Sequence, residues 1–164
     1  MYIYTEKEIR EADKRASLHG LSENALMETA GRSLFLALKK VIQKEKRILI
    51  LAGRGNNGGD AIVLSRYLLQ NGYRAELAFP FGLPKTKASK EHFSFFKSLG
   101  YPFSETIDFS ASYDYIIDGL LGVGAKLPLS SEYRNFLCWC NGQKAIRVAI
   151  DLPTGVLADE GQAD

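Results

Sequence analysis

The chain has 164 residues, 46% of them hydrophobic and 24% charged, with a formal net charge of +2, and these values predict one globular domain with its own core. The small charge is spread along the chain, so nucleic acid is not indicated as a partner. No apolar run approaches the roughly twenty residues of a membrane span, and the N-terminus lacks the order of a signal peptide, so we expect a cytoplasmic protein without a membrane partner.

Two helices are predicted before the first strand. Thr5 and Glu8 have the spacing of a capping box, and the helix that they open is expected to end at Gly20. Ser22 opens a second helix, in which apolar residues recur on one face as far as Val41. These helices could cover a sheet or form the seam of a homodimer, and periodicity does not distinguish the two.

From residue 47 onward, strands and helices alternate. Strands are predicted over residues 47–52, 74–79, 113–118 and 146–151, and helices over about 59–71, 87–99 and 131–141. This alternation predicts an α/β domain built on a doubly wound, mainly parallel sheet.

A glycine-rich segment follows the first predicted strand. Gly53, Gly55 and Gly58 satisfy the pattern G-x-G-x-x-G, and Glu76 lies about twenty residues further on, as in dinucleotide-binding sites. Asp60, however, is placed where the helix is predicted to begin, so a carboxylate would face the usual pyrophosphate position. This arrangement suits ribose hydroxyls or a cation better. The alternative is a tight turn in which Asp60 only caps the helix.

Polar residues gather where three predicted strands end. The first strand is followed by Gly55–Asp60, a later one by Asp118 and Gly122–Gly124, and the last by Asp151–Gly155. Carboxyl ends of parallel strands lie at one edge of a sheet, so these segments should converge on one pocket. The alternative for Asp118 and Asp151 is that each caps a turn or helix.

Taken in order and spacing, these motifs resemble the YjeF N-terminal family, the NAD(P)H-hydrate epimerases. The resemblance extends from Leu26–Gly31 through Gly55–Asp60 and Asp118–Gly124 to Asp151–Gly155. It implies a Rossmann-like, three-layer αβα fold with N-terminal helices, and one such domain over residues 1–164. The family usually continues with further strands and a closing helix, so we expect the C-terminal end of the domain to be missing.

The resemblance also implies a function. The family interconverts the R and S forms of hydrated NADH and NADPH, which carry a hydroxyl at C6 of the nicotinamide ring. A companion dehydratase, often fused in the same polypeptide, then converts the S form back to the intact cofactor. The alternative from another class is a non-catalytic nucleotide-binding or scaffold module of the same fold. A redox dehydrogenase is not expected, because the 164 residues leave no room for a substrate domain beside the nucleotide-binding one.

Site residues follow from the resemblance position by position. It implies a potassium ion near Asn57, Asp118 and Thr154, whose side chains supply the oxygens that a hard cation prefers. Thr154 stands where the family usually has Ser and keeps the hydroxyl. The residues implied to surround the dinucleotide are Asn56, Asn57, Gly58, Gly59, Asp60, Gly122, Val123, Gly124, Ala125, Lys126, Leu127, Pro128 and Asp151.

Asp151 is our candidate for the acid/base residue. It ends a predicted core strand, and Pro153 and Gly155 fix the following turn, so its carboxylate should be held rigidly. Asp60 is the alternative. At the start of a helix the positive end of the peptide dipoles would favour its ionised form, which makes it a poorer proton donor.

Overall fold

The computed structural model describes residues 4–161 and residue 163. Its helices and strands, in chain order, are α1 (Glu6–Leu18), α2 (Glu23–Leu38), β1 (Ile48–Ala52), α3 (Asn56–Gln70), β2 (Ala75–Ala78), α4 (Lys87–Ser98), β3 (Phe103–Ser104), β4 (Tyr115–Gly119), α5 (Ser131–Gly142) and β5 (Ile146–Ala149). Within the described part of the chain, none of the helices is long and apolar enough to span a bilayer.

The strands form one parallel sheet in the order β3-β2-β1-β4-β5. The predicted parallel sheet is therefore confirmed. The chain winds outward from β1 in one direction and then returns to place β4 on its other side, so the strand order reverses between β1 and β4. Beyond the carboxyl ends of two such strands, a doubly wound sheet leaves a crevice.

Alternation along β1 divides the core into two halves. Ile48, Ile50 and Ala52 pack in a cluster with residues of α2, α3 and α4, whereas Leu49 and Leu51 pack with Phe136 and Cys140 of α5. Successive side chains of a strand point to opposite faces, so helices cover both sides of a strand whose residues are all buried. The three-layer αβα architecture is confirmed.

Side-chain caps start several helices where the sequence predicts them. Thr5 and Glu8 form the reciprocal capping box of α1, and Ser22 accepts a hydrogen bond from the Ala25 N–H at the start of α2. Helix α2 ends at Leu38, earlier than its apolar stripe predicts, and Val41 is exposed.

Two predicted boundaries near the strand ends were wrong. Helix α3 begins at Asn56, three residues earlier than predicted, with Gly55 at the N-cap and no side-chain cap. Asp60 therefore lies in the second turn and does not cap the helix. Strand β5 ends at Ala149, so Asp151 lies in the loop that follows.

Candidate active site

The turn between β1 and α3 packs backbone against backbone, and this contact brings the site together. A Cβ on Gly53 would lie 1.8 Å from the Leu120 carbonyl oxygen, and a Cβ on Gly58 would lie 1.8 Å from the Gly53 carbonyl oxygen. Only glycine fits at both positions. The start of α3 is consequently held against the loop that follows β4.

A cleft of about 680 Å³ opens at this edge of the sheet. It is lined by residues that follow β1, β4 and β5, as the sequence predicts. The predicted site residues that line it are Asn56, Asn57, Asp60, Gly122, Val123, Gly124, Ala125 and Asp151. The other lining residues are Ile9, Arg10, Asp13, Ala30, Leu34, Gly55, Thr86, Leu120, Leu121 and Ile150.

Other predicted site residues lie near the cleft without lining it. Gly58 and Gly59 are buried in α3, where Gly59 faces the Met27 sulfur at a distance that leaves no room for a Cβ. Asp118 lies in β4 and Thr154 in the loop after β5, and neither lines the cleft. Three further residues continue the chain beyond the lining segment, namely Lys126, Leu127 and Pro128.

Asp118 and Thr154 are joined directly. The Thr154 hydroxyl donates to Asp118 Oδ1 at 2.8 Å, and the Thr154 N–H donates to Asp118 Oδ2 at 2.8 Å. The Leu121 N–H in turn donates to Thr154 Oγ1, and Asn57 Nδ2 donates to the Leu121 carbonyl. The structure thus brings together the three residues that the sequence predicts around a cation.

Asn57 Oδ1 gives a test of whether a cation fits there. This atom is buried and has no hydrogen-bond partner among the described residues. A buried oxygen without a partner is costly, and a cation would satisfy it. No three His, Cys, Asp or Glu side chains of residues 4–161 and 163 gather as metal ligands. One carboxylate, one amide and one hydroxyl fit a hard monovalent ion better than zinc.

Asp151 is exposed and fixed at the cleft wall. Its Oδ2 accepts a hydrogen bond from the Val123 N–H at 2.9 Å. A Cβ on Gly122 would lie 2.7 Å from the same oxygen, so glycine leaves the carboxylate its place. The hydrogen bond holds the loop after β5 to the loop after β4.

The pKa of Asp60 contradicts the expectation that helix dipoles would keep this residue ionised. Burial raises its pKa to about 7, and the negative charges of Asp151 and Asp13 add to the effect. Because α3 begins at Asn56, Asp60 lies beyond the first turn, where the dipole acts most strongly. The expectation was wrong, and Asp60 is a group that can hold a proton near neutral pH.

Helix α1 contributes site residues that sequence reasoning missed. Ile9, Arg10 and Asp13 line the cleft. Their spacing showed only an amphipathic helix, and the same pattern is expected of a helix that covers a sheet or joins two subunits. No signal in the sequence could have placed them at the cleft.

Comparisons with known proteins agree with this architecture. The family profile described as YjeF-related protein N-terminus matches residues 23–164. The NAD(P)H-hydrate epimerase of Elusimicrobium minutum is 32% identical over 178 residues, which cover 99% of this chain and 79% of that protein. The crystal structure of a yeast protein superposes with a TM-score of 0.84 at 26% identity, covering 100% of this chain and 75% of that one. The chain belongs to the YjeF N-terminal family.

Several similar proteins are longer and bifunctional. A bifunctional NAD(P)H-hydrate repair enzyme from Thermosynechococcus vestitus is 36% identical over 144 residues, which cover 87% of this chain and 28% of that protein. In two further bifunctional relatives, from Archaeoglobus fulgidus and Leishmania major, the match covers 34% and 30% of their length. The chain therefore spans about a third of these relatives.

Proposed function

We propose that this protein epimerises hydrated NADH and NADPH, interconverting the R and S forms at C6 of the nicotinamide ring. The observation that carries the proposal is the pair of carboxylates, Asp60 and Asp151, that line one cleft at the carboxyl edge of the sheet. Members of the family that bear the name NAD(P)H-hydrate epimerase support the substrate class.

Epimerisation at C6 requires one bond to this carbon to break and to form again on the opposite face of the ring. C6 carries both the hydroxyl and the ring nitrogen. The bond is therefore C6–O, with loss and return of water, or C6–N, with opening and closing of the ring. In both routes the departing atom takes up a proton and releases one when the bond forms again. A proton donor and a proton acceptor are needed beside C6.

Asp151 and Asp60 can divide these roles because their surroundings differ. Asp151 is exposed and accepts a hydrogen bond from the Val123 N–H, so we propose it as the acid/base that exchanges a proton with the substrate. Asp60, with a pKa raised to about 7 by burial and by its acidic neighbours, complements it as a neutral donor. Each proton that one carboxyl group gives is recovered when the bond at C6 forms again.

We further propose a potassium ion beside Asn57, Asp118 and Thr154. The buried Asn57 oxygen without a partner supports this site, as does the single carboxylate available to balance one positive charge. A bound ion would offset the charge of Asp118 and join the start of α3 to the loops after β4 and β5.

Thermal unfolding tests the cation site. At matched ionic strength, potassium chloride should raise the melting temperature more than lithium chloride, because only an ion of suitable size binds the native site. Asp118→Asn should reduce this difference, whereas Glu105→Gln, at an exposed position, should leave it intact. Equal effects of the two salts on the wild-type protein would contradict a specific site.

Partners follow from the same proposal. An NAD(P)H-hydrate dehydratase, which the bifunctional relatives suggest as a fused domain, would consume the S form. We propose that residues 1–164 form one epimerase domain that works in the cytoplasm and assembles as a homodimer.

The activity is tested by following an unequal mixture of the two hydrate epimers by NMR. Added protein should speed the approach to equilibrium at a concentration far below that of the substrate, without changing the final ratio. If the protein binds the hydrate but leaves the rate unchanged, the proposal fails and a non-catalytic nucleotide-binding module is supported.

A further inference from the structure

Helix α1 forms part of the cleft wall but buries none of its own side chains, and the structure describes the whole of Glu6–Leu18. Ile9, Arg10 and Asp13 are the residues that it adds to the cleft. Spacings of three and four place residues on one side of a helix, so one face of α1 is turned to the cleft. This face is mainly polar, which is typical of a binding surface rather than a core contact.

Arg10 is the one cation among the described residues that line the cleft. The other charged lining residues are Asp13, Asp60 and Asp151. Carboxylates repel an anionic ligand, whereas a guanidinium attracts it. Among the charged side chains that line the cleft, Arg10 is therefore the one that attracts a phosphate.

The Arg10 side chain lies against the glycine loop after β4. A Cβ on Gly124 would come within 2.6 Å of Arg10 Nη2, so the absence of a side chain at Gly124 makes room for the guanidinium. Gly122, Val123 and Gly124 all line the cleft. A ligand that follows this loop would meet the Arg10 head group.

In the structure, Arg10 forms a weak ion pair with Glu6. Its Nε and Nη2 both lie 2.7 Å from Glu6 Oε1, one helical turn earlier, and its side chain is 60% exposed. Exposed pairs of this kind contribute little, because water and salt screen them. A guanidinium binds a phosphate through two parallel charge-assisted hydrogen bonds, which are stronger. A phosphate could therefore replace Glu6 at small cost.

We propose that Arg10 binds the diphosphate of the dinucleotide, exchanging Glu6 for phosphate oxygens when the ligand enters the cleft. The inference rests on the proposed function for the identity of the ligand. It makes α1 a part of the substrate site, next to the phosphate end of the molecule.

Binding of ADP-ribose, measured by calorimetry, tests this proposal. ADP-ribose carries the diphosphate without the nicotinamide ring, so the measurement does not depend on turnover. Arg10→Gln should weaken binding about tenfold, the loss typical of one charge-assisted hydrogen-bonding group. Glu6→Gln should tighten it, because the competitor of the phosphate is removed. Arg15→Gln, which removes the same charge from α1 outside the cleft lining, should leave the dissociation constant unchanged.

The opposite signs of the Arg10→Gln and Glu6→Gln effects separate phosphate binding from damage to α1, since both variants lose the same ion pair. Wild-type affinity in Arg10→Gln, an equal loss in Arg15→Gln, or no binding of ADP-ribose by the wild type would overturn the proposal. The two proposals fail independently. Epimerisation without Arg10-dependent binding refutes only the phosphate contact, and Arg10-dependent binding without epimerisation refutes only the activity.

Discussion

Asp60 and Asp151 line the same cleft but lie in different surroundings. Asp151 is exposed and bonded to the Val123 N–H, whereas Asp60 is half-buried near two other acids. Two carboxyl groups whose environments separate their proton affinities can serve as donor and acceptor in one reaction. The proposed acid–base chemistry of the site therefore depends on the difference in burial between these two side chains.

At residue scale, the proposed proton transfer predicts the effect of Asp151→Asn. Removing a general acid/base typically lowers the rate by about a hundredfold to ten-thousandfold, whereas removing a binding contact mainly raises KM. We expect a fall in kcat of that size in steady-state assays of epimerisation. A near wild-type kcat with only a raised KM would mean that Asp151 is a ligand contact and that another group moves the proton.

The raised pKa of Asp60 predicts a pH-dependent cost in stability. Burial and the charges of Asp151 and Asp13 favour its neutral form in the folded protein, with a pKa of about 7, above the ordinary value of 3.8. The contribution of neutral Asp60 to the free energy of unfolding is fully present below about pH 4 and is lost as the pH rises through 7. Between pH 5 and pH 8, the free energy of unfolding should fall by about 2 kcal/mol from this group.

Asp60→Asn should remove this dependence. In urea unfolding, the free energy of unfolding of the variant relative to the wild type should increase as the pH rises from 5 to 8. Glu11→Gln, an exposed change on α1, provides the control and should follow the wild type. An Asp60→Asn variant whose stability changes with pH in parallel with the wild type would contradict the raised pKa.

At element scale, helix α3 carries the site because glycine allows its first turn to approach the sheet. Asn56 and Asn57 reach the cleft from this turn, while Gly58 and Gly59 face inward. The same turn therefore provides both the polar lining and the close backbone contact. Binding and packing are not separable there.

Gly58→Ala tests that close contact. Its Cβ would lie 1.8 Å from the Gly53 carbonyl oxygen, and backbone atoms cannot move aside easily. We expect a loss of about 3 kcal/mol or more in the free energy of unfolding. Gly142→Ala, in α5 with no atom within 4 Å of the new Cβ, should change it by no more than about 0.5 kcal/mol. Similar losses in the two variants would show that the clash is relieved by movement of the turn.

At the scale of the whole molecule, one partly buried charge network joins α2, α3 and α4 on one face of the sheet. Arg66 of α3, only 8% exposed, donates to both carboxylate oxygens of Glu28 on α2 at 2.6 Å. Tyr67 also donates to Glu28, and His92 of α4 lies 3.7 Å from it. Partial burial disfavours the charge of Glu28, but these hydrogen bonds outweigh it and lower its pKa.

Removing one charge of this network should destabilise the protein more than replacing both charges of the ion pair. Glu28→Gln leaves the buried Arg66 charge without its counter-charge, and we expect a loss of about 3 kcal/mol in the free energy of unfolding. The double variant Glu28→Gln/Arg66→Met should lose less than the sum of the two single changes, because no charge remains buried. Additive losses in urea unfolding would show that the two residues stabilise the protein independently.

Much of the fold could be predicted from local patterns. Thr5 and Ser22 marked helix starts, and the strand–helix alternation predicted the parallel sheet, because caps and periodicity act over a few neighbouring residues. The two-residue strand β3 was missed, since Phe103–Ser104 is too short to show a period. The convergence of Asp118 and Asp151 on one edge followed from strand direction alone.

What the sequence by itself determined is the set of elements, the family motifs and the edge of the sheet at which they meet. Only the tertiary structure decided that α3 begins at Asn56, that Asp60 is half-buried near other acids, and that Arg10 reaches Gly124. The physical reason is that helix and strand signals are local, whereas burial, pKa and the neighbours of a side chain depend on segments far apart in the chain. Helix α1 shows this most clearly, because its amphipathic pattern is the same for a core helix, a dimer seam and a cleft wall.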